Sequence, residues 1–160
     1  MPNDSEQKKP GHSGDTPIAS NGFVHVDDTA IATMIGAAQR FSENASLQVG
    51  VKGRFLIVIE EIVTNIVSHG QPPPGSDIAY RFSADETAIT MTFDDTGVAF
   101  DPRRDSSDAS STNHQPFIES QTPHLVEGGH GWPLIHSWCR IVAYRRAKGR
   151  NHLELMMPLG

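Results

Sequence analysis

From Phe55 to His69 the chain runs as one apolar, helix-periodic segment, and inside it stand an acid and an amide, Glu61 and Asn65. Residues at i and i+4 share a helix face, so Glu61, Asn65 and His69 should form one polar stripe. Phe55, Ile59, Ile62 and Ile66 fall on the opposite stripe and belong to a core. A carboxylate and a carboxamide on the inner part of a helix are costly unless something polar meets them. The stripe is therefore a candidate site. The segment also has a firm stop, because Gly70 is followed by Pro72, Pro73 and Pro74.

Around this helix the other elements can be placed. Ser46 reads as its N-cap, which gives a span of about 46–69. Upstream, Asp27 or Asp28 caps a shorter helix that carries Ile31, Met34, Ile35, Ala38 and Phe41 at helical spacing. Residues 23–26 alternate as a first strand. Before them, residues 1–20 mix Pro2, Pro10, Gly11, Gly14 and Pro17 with charged and small side chains, a composition that predicts a disordered leader ahead of one domain over 21–160.

Downstream, alternating stretches near 78–82 and 88–93 flank a turn at 83–86. Periodicity is lost over 101–127, a polar stretch too long for a simple connector. A short helix begins near Gly131, where Pro133 fits because a first helical turn needs no donor from it. The end reads as a hairpin of 140–146 and 152–157, turning through 148–151. The expected fold is α+β: a two-layer sandwich in which helices cover one face of a mixed, mostly antiparallel sheet.

Composition narrows the function. At 160 residues the chain suits one domain, and its formal charge of -6 argues against nonspecific nucleic-acid binding. The one dense basic run, 145–150, reads as a solvated turn first and a docking site second. The lone Cys139 cannot form an internal bridge and, beside Trp138 and Ile141, reads as a buried thiol in a reducing compartment. No run reaches the roughly 18 apolar residues of a membrane span, and no apolar signal core follows Met1–Lys9. A cytoplasmic location is expected, with no membrane partner.

Three polar motifs interrupt the pattern. The first is the helix stripe. The second, Asp95-Thr96-Gly97 at a strand end, sets an acceptor carboxylate beside a glycine that leaves room for a flat ring. Its bland reading is an ordinary Asp-x-Gly turn. The third, Gly128-Gly129-His130-Gly131 at a helix start, lets backbone N–H groups approach an anion at the positive end of the helix dipole. Alone it is no more than a tight turn. Walker, dinucleotide, zinc and nucleophile-elbow spacings are absent from the sequence, and the eight histidines read as dispersed loop residues.

Taken in order, these motifs resemble the Bergerat-fold (GHKL) ATPase domain, and within it the anti-sigma-factor serine kinase branch. The shared patterns are Glu60-Glu61-x-x-Thr64-Asn65-x-x-x-His69, then Asp95-x-Gly97-x-x-Phe100-Asp101-Pro102, then Gly128-Gly129-x-Gly131-x-x-Leu134-Ile135, within a resemblance covering about residues 22–159. His130 and Pro133 depart from the small or aliphatic residues usual in the third pattern.

The resemblance implies ATP and Mg²⁺ as cofactors. Glu61 would be the general base, Asn65 the Mg²⁺ ligand, and Asp95 with Gly97 the adenine site. Gly129 and Gly131 would form the phosphate turn. Residues 103–127 would be a lid; that Arg103 or Arg104 approaches the γ-phosphate is an expectation beyond the matched motifs. The partners implied are a sigma factor and a STAS-type antagonist phosphorylated on serine, with the kinase as a homodimer. The alternatives are a nucleotide-binding regulatory module that acts by binding alone, and a detached catalytic half of a histidine kinase.

Overall fold

The computed structural model describes residues 17–102 and 131–160. Most of the expected leader, the whole expected lid with Arg103 and Arg104, and the glycine-turn residues Gly128, Gly129 and His130 lie outside the described residues. Five strands form one sheet: β1 (Ile18–His25), β2 (Asp77–Ala84), β3 (Ala88–Asp95), β4 (Arg140–Ala147) and β5 (Arg150–Pro158). Their order is β1-β2-β3-β5-β4. Among the described residues three α-helices accompany them: α1 (Ala30–Asn44), α2 (Val49–Thr64) and α3 (Gly131–Trp138). The two-layer α+β expectation holds. Every described pairing is antiparallel, so the sheet has no mixed component. Two of those pairings are tight hairpins, which can only be antiparallel.

Period-two alternation sets the inner face of the sheet. One row across it reads Ser20, Phe82, Met91, Leu155, Ile141, and the next Gly22, Tyr80, Phe93, Leu153, Tyr144. Phe82 packs against Phe41 of α1 and Phe55 of α2 with ring centroids 5.6 and 5.4 Å away. All three rings are buried. Such aromatic contacts add about 0.5–1.5 kcal/mol per pair beyond the area they bury, and here they join both long helices to the sheet.

Four boundaries differ from the sequence reading, each for a local reason. Strand β1 starts at Ile18, which moves residues 18–20 from the expected leader into the sheet. As an edge strand it buries only Val24, so its alternation is faint in the sequence. Ser46 ends α1 rather than starting α2. It sits at φ 50°, its N–H reaches Glu43 O at 3.0 Å, and Leu47 N reaches Ser42 O at 3.0 Å. Those two bonds form a Schellman stop, so α2 begins at Val49 with Gln48 before it.

The β2–β3 turn lies later than expected, because Asp85 Oδ1 accepts from Thr87 N, Thr87 Oγ1 and Ala88 N. The last hairpin turns on Lys148 and Gly149 alone, both at positive φ, the signature of a type I′ turn. Arg150 and Asn151 therefore belong to β5, not to the turn. At the start of α1, Asp27 accepts from Thr29 N and Oγ1, which holds its carboxyl below the usual range.

Cys139 is buried between α3 and β4, and burial pushes its thiol up to about 12. The thiolate, not the thiol, is the reactive form. Against an ordinary thiol near 9.0, the reactive fraction at pH 8 drops roughly a thousandfold. Native protein should resist iodoacetamide at pH 8 on a timescale where unfolded protein is fully alkylated. Equal rates in the two states would contradict the buried placement.

No helix among the described residues is long and apolar enough to cross a membrane.

Candidate functional site

The second helix does not stay α-helical to its end. Asn65–His69 forms a π-helical turn, in which Gly70 N donates to Asn65 O at 2.9 Å and to Ile66 O at 3.1 Å. Single π turns inside helices are frequent at functional sites. The expected stripe is divided between a cavity and α3. Asn65 and His69 line the cavity, of about 270 Å³, together with Ile62 and Ile66. Glu61, one turn earlier, is half-buried and does not line it. Its carboxylate packs against Gly131 at the start of α3, in space that any side chain at 131 would need.

The rest of the cavity wall comes from the sheet and from α3. Asp95 comes from β3, Asn151 and Leu153 from β5 and Tyr144 from β4. Val98, Phe100 and Pro102 after β3, with Trp132 of α3, complete it. Phe100 and Trp132 pack with ring centroids 5.4 Å apart. The lining is thus mainly apolar and aromatic, with a few placed polar groups, the usual make-up of a small-molecule site.

Asp95 is the most constrained of these groups. It is 6% exposed. Its Oδ1 accepts from Gly97 N at 2.7 Å and from Asn151 Nδ2 at 3.0 Å. Its Oδ2 has no hydrogen-bond partner among the described residues, and Asp95 lines the cavity. A carboxylate oxygen left in this way is an acceptor that a ligand's N–H can meet.

Gly97 leaves no room for a side chain: an added Cβ would stand 2.6 Å from Gly70 O and 2.9 Å from Asp95 Oδ1. Val98 N donates to that same Gly70 carbonyl at 2.7 Å. Two glycines distant in sequence thus bring the end of the π turn against the loop after β3. Asn65 Nδ2 and Thr96 Oγ1 are buried without a hydrogen-bond partner. Asn65 lines the cavity, and its carboxamide has no partner among the described residues that fixes which end faces inward.

Of the residues expected from the sequence, Asn65, Asp95 and Gly97 converge, and Glu61 meets Gly131 beside them. Gly129 and Arg103 lie outside the described residues. The sequence reading missed Asn151, Tyr144, Trp132 and Arg146. Arg146 reaches in from β4, its NH1 donating to Gly97 O at 2.8 Å and to Asn151 Oδ1 at 2.7 Å. A signal for Asn151 did exist. It is the polar first member of the inward series 151, 153, 155, 157, otherwise Leu, Leu and Met.

A family model described as the histidine kinase-like ATPase domain matches residues 24–157. Among curated proteins, none matches the chain. The matched span holds every strand except the start of β1 and the tip of β5, all three helices and the whole cavity. With its sheet, its π-turn asparagine and its buried aspartate in that arrangement, the chain belongs to the histidine kinase-like ATPase domain family, a domain that binds ATP.

Proposed function

We propose that this domain is an ATP-dependent protein serine kinase of the anti-sigma type. It transfers the γ-phosphoryl group of ATP to a serine of a STAS-type antagonist and holds a sigma factor in check, working as a homodimer. The observation that carries the nucleotide half is Asp95, buried in the wall of a mainly apolar cavity with no hydrogen bond to its Oδ2 among the described residues. An amino-purine offers the N–H donor that this oxygen lacks. The kinase half is supported by the order of the three motifs and by the place of Glu61, one helical turn before Asn65.

The residues fit the nucleotide and its cation. The apolar walls of Ile62, Ile66, Val98 and Leu153 suit a flat base. Asn65 brings to the cavity a carboxamide whose oxygen is a hard donor suited to Mg²⁺. When bound, Mg²⁺ supplies charge neutralisation for the phosphates. Phosphoryl transfer needs positioning and electrostatics more than covalent chemistry. Glu61 then takes the proton of the acceptor serine as the new P–O bond forms.

One observation favours a second reading, a nucleotide-dependent binding module. The Glu61 carboxylate packs on Gly131 instead of lining the cavity. Glu61→Gln separates the two readings. As a kinase, the variant should lose about 10²–10⁴-fold in phosphoryl transfer while its ATP affinity stays within about twofold. Transfer is read with γ-labelled ATP against STAS-type antagonists. A wild-type protein that binds both ATP and such an antagonist tightly, yet never labels it, is a binder and not a kinase.

A further inference from the structure

We infer that Asn151 is a positioning residue that sets the pocket's choice between amino- and oxo-purines by locking Asp95 in one orientation. The inference rests on the reading of the cavity as an ATP site.

Asn151 is 6% exposed and sits where β3, β4 and β5 meet, opposite Asp95 on one side and Arg146 on the other. Its carboxamide makes five polar contacts. Nδ2 lies 3.0 Å from Asp95 Oδ1, 3.3 Å from Gly97 O and 3.0 Å from Val98 O. Oδ1 lies 2.9 Å from Tyr144 OH and 2.7 Å from Arg146 NH1. The neighbours themselves dictate which end is which. A guanidinium only donates, so it must face the oxygen, and backbone carbonyls only accept, so they must face the NH₂. A flipped amide would put two carbonyls and a carboxylate against its oxygen.

The same list shows what Asn151 does not do. Its two N–H protons are shared among three acceptors, and its oxygen already receives two donors. No polar capacity is left for a ligand. It acts through Asp95, whose Oδ1 it shares with Gly97 N, so that Oδ2 is the oxygen left for a ligand. An acceptor fixed there rewards a 6-amino group and repels a 6-oxo group. A site built to meet an N–H rejects the analogue lacking it far better than a merely shape-fitting site does. The amide is also anchored from behind, since Tyr144 OH accepts from Phe100 N at 2.9 Å and Arg146 also holds Gly97 O. The orientation of Asp95 is therefore set by β4 and β5 as much as by its own loop.

The test is calorimetric titration of the full chain with Mg-ATP and with Mg-ITP, whose base carries oxygen where ATP carries the amine. Wild-type protein should favour ATP at least 30-fold. In Asn151→Ala, Asp95 keeps only the Gly97 N–H. The ATP Kd should rise about tenfold with the ITP Kd within threefold, so the ratio collapses. Tyr144→Phe keeps the ring and removes one donor from Asn151 Oδ1. It should lower the ratio about threefold, and it serves as the test if the alanine variant does not fold.

Equal weakening for both nucleotides would mean that Asn151 is merely structural and would overturn the inference. An unchanged ratio in both variants would do the same. A wild-type protein that binds neither nucleotide removes the ATP-site reading itself. That result is distinct from a wild type that discriminates and variants that still do.

Discussion

Asp95→Asn should weaken ATP binding by roughly 30- to 150-fold, the equivalent of about 2–3 kcal/mol, and should turn the preference toward ITP. The asparagine can keep the inner half of the arrangement, because a carboxamide oxygen still accepts from Gly97 N and Asn151 Nδ2 where Asp95 Oδ1 does now. That leaves its NH₂ at the position of Oδ2, a donor facing the donor of the adenine amine. Against the 6-oxo group of ITP the same NH₂ becomes a partner. Paired titrations with the two nucleotides give both constants, and a thermal melt shows whether the fold persists. A uniform loss for ATP and ITP, or no loss for either, would remove Asp95 from the base-reading role.

How much of this was legible in the sequence depends on which residues carried it. The core of α2 was readable because Phe55, Ile59 and Ile62 repeat at helical spacing, and all three are buried. Its last turn was not. One widened turn of five residues leaves no imprint on an apolar period, so Asn65 and His69 could be placed on a face but Glu61 could not be separated from them. The stop at Gly70 was legible from the prolines that follow it, but the contact that fixes this end, Val98 N on the Gly70 carbonyl, is tertiary.

Ser46 was misplaced because serine suits either side of a helix junction, and only the left-handed φ shows that it closes α1. Asp95 and Gly97 were found because an acid beside a glycine at a strand end is a local pattern. Asn151 was missed because its importance is a matter of register. It faces Asp95 only through the long-range register of β3 with β5, while the two-residue Lys148–Gly149 turn sets its pairing with Arg146 of β4.

The same substitution, glycine to alanine, should have opposite signs at two positions of this chain. Gly53 lies inside α2 on its exposed side, and an added Cβ there meets nothing within 4 Å. Alanine is the better helix former, so Gly53→Ala should stabilise by about 0.8–1 kcal/mol, a rise of roughly 2–4 °C in Tm for a chain of this size. At Gly97 the new Cβ would stand 2.6 Å from a backbone oxygen, Gly70 O, and 3.1 Å from its carbon, and neither can swing aside as a side-chain tip can. Relief requires the loop after β3 to move. That motion strains the bonds from Val98 N to Gly70 O and from Arg146 and Asn151 to Gly97 O. Overpacking of this kind costs about 1–3 kcal/mol, so Tm should fall by roughly 2–12 °C. ATP affinity should fall with it, because Asp95 Oδ1 is held by the N–H of the residue that must move. A Gly97→Ala variant as stable as wild type and with unchanged ATP affinity would mean that the close approach of Gly70 and Gly97 does not shape the site. Measured side by side, the pair separates backbone approach from backbone freedom as the reason for the glycine, since φ is positive at neither position.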